Sequence, residues 1–504
     1  MNSLSRFESE FTFISKFLNL KLILTLIATL SVFLFTSLFS HSLIHHFLAS
    51  LIITLYLPLS FTIERKHIDY LFLTPLTIIA FYNFLTAALG VSLWVLSQYE
   101  FDNWLFNVQL SAIVSFPLIA TVYYFINYST PSFKPPIFNI KTSNLKGTLE
   151  IISWILILFI TASFTVGILT GSGDRGVAGE IIERQKYGIW TLFIAFGRFI
   201  YLGFVLVPFL WRYSPLHRRL LVVLFLIFYF LIALTSGTRG YIIYPGILII
   251  CGIWIFGKGS SILKKGIISL LLVSLFLIPF INAYRISTSF NNSKASNLVE
   301  RFFILAEGFK YFSKVDASTE SPIYTTGKSL LGCSDYLVYR DTPKIIPHAG
   351  WQRIDAVLYI FQPTVLNPKK PSLLDTGEVS ALYTGGKISS RHSDCITFNG
   401  DLYRRFGWTG IIIGNLIFGI FYSSIFKLLF ILYNKNLSKK ISIYFLLLIL
   451  FTCGFIVGMP NGTLLSTVWI WLWELPKYIF SLFILYGIVS MFVQEHKGAK
   501  LGDP

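Results

Sequence analysis

The segment RRLLVVLFLIFYFLIALTSGTRGYIIYPGILIICGIWIF, residues 218–256, decides the fold class. Two apolar runs, Leu220–Thr235 and Tyr241–Phe256, flank the polar turn Ser236–Gly240, and neither run carries a charge. A helix on a soluble protein sets charges along its solvent face. An apolar run without that face has its backbone satisfied only as a helix surrounded by lipid or protein. Basic residues stop the pair on one side: Arg218 and Arg219 before it, Lys258 after it.

The pattern recurs along the whole chain. Of 504 residues, 54% are hydrophobic and 13% charged, and the apolar blocks approach the roughly 17 to 25 residues that cross a bilayer. Besides the two above, spans are expected at Leu22–Ser40, Ile44–Thr62, Tyr70–Leu93, Leu105–Tyr128, Leu149–Thr170 and Tyr187–Trp211. The remainder lie at Ile267–Tyr284, Phe406–Tyr433, Ile441–Met459 and Trp471–Val493. The expectation is an all-α polytopic membrane protein of about 12 helices, with one large extracytoplasmic loop between the ninth and tenth. Three regions follow: a membrane bundle over 1–284, the loop over 285–405, and a membrane-embedded end with a tail over 406–504.

The net charge of +17 would point to nucleic acid in a soluble protein. Here the cations concentrate in alternate short connections, at Arg65 and Lys66, at Lys134, Lys141 and Lys146, at Arg212, Arg218 and Arg219, at Lys258, Lys264 and Lys265, and at Lys435, Lys439 and Lys440. Short basic loops resist translocation, so these face the cytoplasm, both termini lie inside, and no nucleic-acid partner is needed. The N-terminus lacks the short core and small-residue cleavage site of a secretory signal. Cys251 and Cys453 sit in apolar blocks as small buried thiols. Cys333 and Cys395 share the long loop, where an oxidising compartment would let them pair if their Cα atoms come close.

The loop, Arg285 to Arg405, is too long to be structureless in a compact protein. Leu298, Phe302, Leu305, Phe309 and Phe312 recur at helical spacing and predict an amphipathic helix. Pro363, Pro368 and Pro371 interrupt regular structure around Lys369 and Lys370, and Gly377, Gly385 and Gly386 mark turns.

Two motifs carry candidate chemistry. Ser236-Gly237-Thr238-Arg239-Gly240 starts a span whose N-terminal N–H groups face outward, and Arg239 adds a permanent cation. Together they suit a phosphate oxyanion, while the bland reading is a hairpin whose arginine snorkels to lipid headgroups. In Asn399-Gly400-Asp401-Leu402-Tyr403-Arg404-Arg405-Phe406-Gly407-Trp408-Thr409-Gly410, another outward-facing helix N-terminus is expected, with Arg404 and Arg405 placed to fork onto a pyrophosphate. Asp401 then either accepts a proton from a hydroxyl nucleophile or merely caps the helix.

Arg198 falls near the middle of the sixth span, where an unpaired charge costs at least about 2.5 kcal/mol. It needs either a ligand-lined cavity or a partner. Glu474 and Lys477 read as a pair near the outer interface. Arg175, Arg184, Arg285, Arg301, Arg340, Arg353 and Arg391 make the external regions arginine-rich, interleaved with Trp351, Tyr359 and Tyr383. Aromatic rings stack on sugar faces and arginine suits anionic lipid headgroups, although most of these arginines read equally as solvated. His348 and His392 are further base candidates, imidazole being the side chain whose ordinary proton equilibrium lies nearest neutrality. The sequence has no phosphate-cradling glycine loop followed by Lys-Ser/Thr, no Cys-x-x-Cys pair and no His-Glu-x-x-His, so neither ATP hydrolysis nor zinc chemistry is supported and no cofactor or metal is expected.

A span ending in Ser-Gly-Thr-Arg-Gly, a long late external loop, and a return through Gly-Asp-Leu-Tyr-Arg-Arg-Phe-Gly-Trp-Thr-Gly resemble the bacterial oligosaccharide repeat-unit polymerases, the Wzy-type O-antigen and exopolysaccharide polymerases. The resemblance implies metal-independent glycosyl transfer at the outer face of the bacterial cytoplasmic membrane. A growing glycan leaves its polyprenyl pyrophosphate and joins the next lipid-linked unit. Arg239, with Arg404 or Arg405, would neutralise the leaving pyrophosphate, and Asp401 or a loop histidine would activate the acceptor. Arg198, Arg175, Arg184, Arg285, His348 and His392 would line the path of the polyprenyl-pyrophosphate-linked oligosaccharide. A flippase and a chain-length regulator are the expected partners. A glycan ligase of similar architecture and a non-enzymatic flippase or exporter are the alternatives.

Overall fold

The computed structural model describes residues 43–64, 74–98, 103–127, 143–169, 197–235, 240–256, 330–331, 334–362, 376–385, 396–435, 443–452 and 462–500, with single positions at 28, 303 and 306. Among the described residues there is no strand. Among the same residues, seven helices are long and apolar enough to cross a membrane, and three shorter apolar helices accompany them. The described part of the chain is therefore helical, with the apolar spans of a membrane protein.

In chain order, α1 is Leu43–Ile63, α3 Asn103–Asn127, α4 Ser143–Leu169, α5 Phe199–Tyr213, α6 Leu216–Thr235 and α7 Gly240–Phe256. Between α1 and α3, α2 joins Pro75–Asn83, a π-helical stretch Phe84–Gly90, and Val91–Gln98. Then come α8, Asp335–Asp341; α9, Thr376–Thr384; α10, Phe398–Lys435; α11, Ile443–Ile449; and α12, which joins Leu464–Trp469, a π turn Ile470–Glu474, and Leu475–Lys500. A 3-10 turn, Ile354–Tyr359, lies between α8 and α9. The expected spans at Leu22–Ser40 and Ile267–Tyr284, the amphipathic helix from Leu298 to Phe312, the prolines at 363, 368 and 371, and Cys333, Cys395 and Cys453 lie outside the described residues. Cys251 is buried.

One apolar core runs through α1 to α7 and α10 to α12. The outer faces are apolar too. Leu220, Leu221, Leu224 and Ile227 on α6, Ile413, Ile417 and Ile420 on α10, and Phe480, Ile484 and Phe492 on α12 are all exposed. In water such stripes would drive aggregation; against lipid they cost nothing, and they identify the lipid-facing side of each helix.

Three expectations are corrected. The tenth span was placed at Phe406–Tyr433 as a plain helix, but α10 starts at Phe398 and breaks at Gly407, whose φ of 64° and ψ of −152° belong to glycine alone. The chain turns back on itself there. Asn399 pairs with Asn415, the Phe398 and Phe418 rings meet at 5.2 Å, and a Cβ on Gly410 would lie 2.4 Å from the Leu402 carbonyl oxygen. Residues 398–406 thus form a short helix antiparallel to the start of the span. The other end of this hairpin lies deep, because Asn399 bonds Ser115, twelve residues into α3, about 18 Å along its axis. The helix N-terminus expected to face outward points into the bundle.

The second correction concerns α12, which starts at Leu464 instead of Trp471, with Thr463 as its N-cap accepting from the Ser466 N–H. The third is Gly377, which lies in the first turn of α9, whereas Gly385 at φ 66° does end that helix.

Candidate functional site

The short helix 398–406 carries three charged residues, Asp401, Arg404 and Arg405. Thr397 caps it: its hydroxyl accepts from the Gly400 N–H at 3.1 Å. Asp401, one turn in, is fully buried and receives four donors. Arg404 Nε and Nη2 reach its Oδ1 at 2.7 and 2.6 Å, while Arg405 Nε and the Leu464 N–H reach its Oδ2 at 3.0 and 2.8 Å. The Leu464 contact places this carboxylate at the N-terminus of α12, where the helix dipole favours negative charge.

Arg405, 1% exposed, also donates through Nη1 to the carbonyls of Gly350 and Gln352 at 3.2 and 2.8 Å. The backbone of the 348–352 turn returns the contact, with Ala349 N donating to Arg404 O and Gly350 N to Arg405 O. His348 lies against the same carbonyl, its Nδ1 3.3 Å from Arg404 O. Asp401 therefore fastens three elements of the chain: the hairpin helix, the 348–352 turn and α12. Two guanidiniums thus converge on one carboxylate.

Across Gly400 stands a second acid that the sequence did not single out, Asp335, at the start of α8. Its Oδ1 accepts from Thr397 N at 2.7 Å and its Oδ2 from the Thr397 hydroxyl. Gly400 is required here, since a Cβ would lie 2.4 Å from Asp335 Oδ1. Burial pushes the Asp335 carboxyl up from 3.8 to about 6, the Thr397 bonds oppose that rise, and the Asp401 charge adds to it.

Asp335 faces a cavity of about 80 Å³ lined by α2, α3, α8 and the hairpin. Its polar wall includes Asn83, Ser111, Ser115, Thr397, Asn399 and Asn415; among the described residues no lysine or arginine lines it. Asn415 Nδ2 donates to Asn399 Oδ1 at 2.8 Å, and Asn399 Nδ2 donates to Ser115 Oγ at 3.2 Å. Asn83 ends the first segment of α2, directly before the π-helical stretch. Such widened turns re-aim side chains and recur at functional positions. The sequence signal for this wall is three asparagines, two of them within apolar spans.

The other expected site residues are dispersed. Arg198 immediately precedes α5, its Nε 3.7 Å from Glu474 Oε2, and its backbone N donates to the Tyr478 hydroxyl at 2.8 Å. Glu474 also holds Lys477 at 2.5 Å. Arg198 thus has a protein partner, the structural alternative set out for it. Arg340 pairs with Asp341 and Arg353 with Glu378, and Tyr383 shares a hydrogen bond of 2.7 Å with Thr342. Trp351 is exposed and meets Phe406 edge-on at 4.9 Å. Arg175, Arg184, Arg239, Arg285, Arg301, Arg391 and His392 lie outside the described residues. Among the described residues, no group of three or more His, Cys, Asp or Glu is arranged to hold a metal ion.

No protein-family model, curated protein or solved structure matches this chain.

Proposed function

We propose that this protein extends a cell-surface polysaccharide by joining polyprenyl-pyrophosphate-linked oligosaccharide units at the outer face of the bacterial cytoplasmic membrane, through about 12 spans with both termini inside. The observation that carries this reading is the buried Asp401–Arg404–Arg405 cluster, in which one carboxylate holds two guanidiniums in fixed positions. Preorganised guanidiniums in a water-poor site stabilise charge developing on a leaving pyrophosphate without reorganising during the reaction.

In the transfer, the bond from the anomeric carbon to the pyrophosphate oxygen breaks and that oxygen keeps the electron pair. A new bond forms from the anomeric carbon to the acceptor hydroxyl oxygen, whose proton passes to a carboxylate. Asp401 already receives four donors, so its part is to hold Arg404 and Arg405 in place. Asp335, which faces open space, is the carboxylate to take the proton. Arg239 supplies a further cation from the Ser236–Gly240 turn, with Arg175, Arg184, Arg285, His348 and His392 on the approach to it. The enzyme needs no cofactor, and a flippase and a chain-length regulator act with it.

Arg239→Lys and Arg404→Lys keep the charge and lose the fork. Both variants are expected to reach the membrane yet leave single repeat units on lipid carrier, seen by mass spectrometry of extracted lipids and by loss of the polymer ladder on gels. Normal-length polymer in both overturns the proposal. The inward-pointing hairpin helix also suits a flippase, because half-helices ending at mid-bundle recur in transporters. In that case a deletion strain accumulates lipid-linked units on the inner leaflet instead of the outer.

A further inference from the structure

We infer that the cavity between α2, α3 and the hairpin is a binding site for one uncharged sugar ring, held by Asp335 and by the amides of Asn83, Asn399 and Asn415. The argument starts from size. At about 10 to 15 Å³ per water by this measure, a cavity of about 80 Å³ takes about five to eight waters. At about 30 Å³ of liquid each, that is roughly 150 to 240 Å³, the bulk of a single hexose.

Chemistry narrows the occupant further. The wall offers a carboxylate, three amides and the hydroxyls of Ser115 and Thr397, against an apolar side made by Ile79, Val108 and Phe418. A pyranose presents the matching pair of surfaces: a rim of hydroxyls that both donate and accept, and a face of C–H groups. Amides meet such a rim with donor and acceptor side by side. Phosphate or a nucleotide would need a cation, and the wall has none among the described residues. Asn83 is buried, lines the cavity, and makes no side-chain hydrogen bond among the described residues. Its amide faces the cavity, so the hydroxyls of a ligand can pair with it in place of water.

That the ring belongs to a glycan acceptor rests on the proposed polymerase reading; that it is neutral, polyhydroxylated and about one hexose in size rests on the cavity alone. Its place beside Asp335 puts a ring hydroxyl next to the carboxylate, while the pyrophosphate end of the donor meets the arginines on the far side of Gly400.

The test uses the full-length protein in lipid nanodiscs and saturation-transfer NMR with methyl α- and β-hexopyranosides of glucose, galactose, mannose and their N-acetylamino forms. At least one glycoside is expected to receive saturation. Asn83→Leu, which fills the cavity with an apolar side chain, should reduce that transfer at least ten-fold, and Ser115→Ala should weaken it several-fold. Should Asn83→Leu lose monodispersity, Ser115→Ala alone decides. Absence of transfer to every glycoside, or equal transfer in wild type and variants, overturns the inference. Specific transfer in a protein whose deletion leaves the polymer unchanged sustains the sugar site and rejects the polymerase reading.

Discussion

Replacing Asp401 by asparagine separates a fastening role from a chemical one. The substitution keeps the shape of the side chain and removes one charge, so Arg404 and Arg405, 6% and 1% exposed, lose the carboxylate they share. An asparagine oxygen can still accept from one side, but its NH₂ must face donors on the other, either the Arg404 guanidinium or the Arg405 Nε and Leu464 N–H. Removing one partner of a buried ion pair costs about 3 to 5 kcal/mol, because the remaining charge stays buried. The loss is expected in mixed-micelle unfolding titrations of the purified protein, and earlier aggregation on heating should accompany it. The double variant Asp401→Asn, Arg404→Leu removes one of the two buried cations and should recover part of the loss, giving a coupling energy of at least about 1 kcal/mol. If Asp401→Asn unfolds within about 1 kcal/mol of wild type yet abolishes polymer formation, the carboxylate acts on substrate and the fastening argument is refuted.

Gly400→Ala drives a Cβ to 2.4 Å from Asp335 Oδ1, a clash that the anchored carboxyl relieves only by releasing Thr397. A stability loss of about 1 to 3 kcal/mol is expected, read in the same titration; an unchanged midpoint would show that Asp335 moves freely. Asp335 also predicts a pH dependence. Its carboxyl sits at about 6 when folded and 3.8 when exposed, so the folded protein binds more protons between those values and stability falls as pH rises through that window. The difference corresponds to about 3 kcal/mol. Asp335→Asn should therefore gain on wild type by about that amount between pH 4 and pH 7, and a difference that stays flat with pH refutes the assignment. The titratable groups near enough to feel this charge are Tyr82, Tyr339 and Asp401.

Membrane helices were legible because their signal is local: an apolar run must become a helix wherever lipid surrounds it. Of the spans that fall within the described residues, each coincides with a helix in whole or part. The hairpin at Gly407 was not legible, because a glycine inside an apolar-flanked helix reads as a tolerated interruption. Its meaning emerges only once Leu402 packs on Gly410 and Gly414, which no periodicity encodes. For the same reason Asp401 looked like an open acid in front of two arginines. Spacings of three and four do put those side chains on one face, but whether they reach outward or inward depends on the direction of the hairpin.

Asp335 was missed because its nearest partner, Thr397, is distant in sequence, and an isolated aspartate before a short apolar stretch reads as a helix start. What makes it noteworthy is three-dimensional: α8 presses it against Thr397 beside a cavity that α2 and α3 also wall. The arginines and the cavity then occupy opposite sides of a single helical turn around Gly400. Glycosyl transfer needs both kinds of contact, cations for the donor's pyrophosphate and amides with a carboxylate for the acceptor's sugar ring. On the proposed reading the two substrates meet across the turn, so variants at Asn83 and at Arg404 should fail differently. The first should weaken use of the acceptor and leave donor binding intact; the second should abolish turnover at saturating acceptor. Identical defects in both would mean that the two sides form one undivided site.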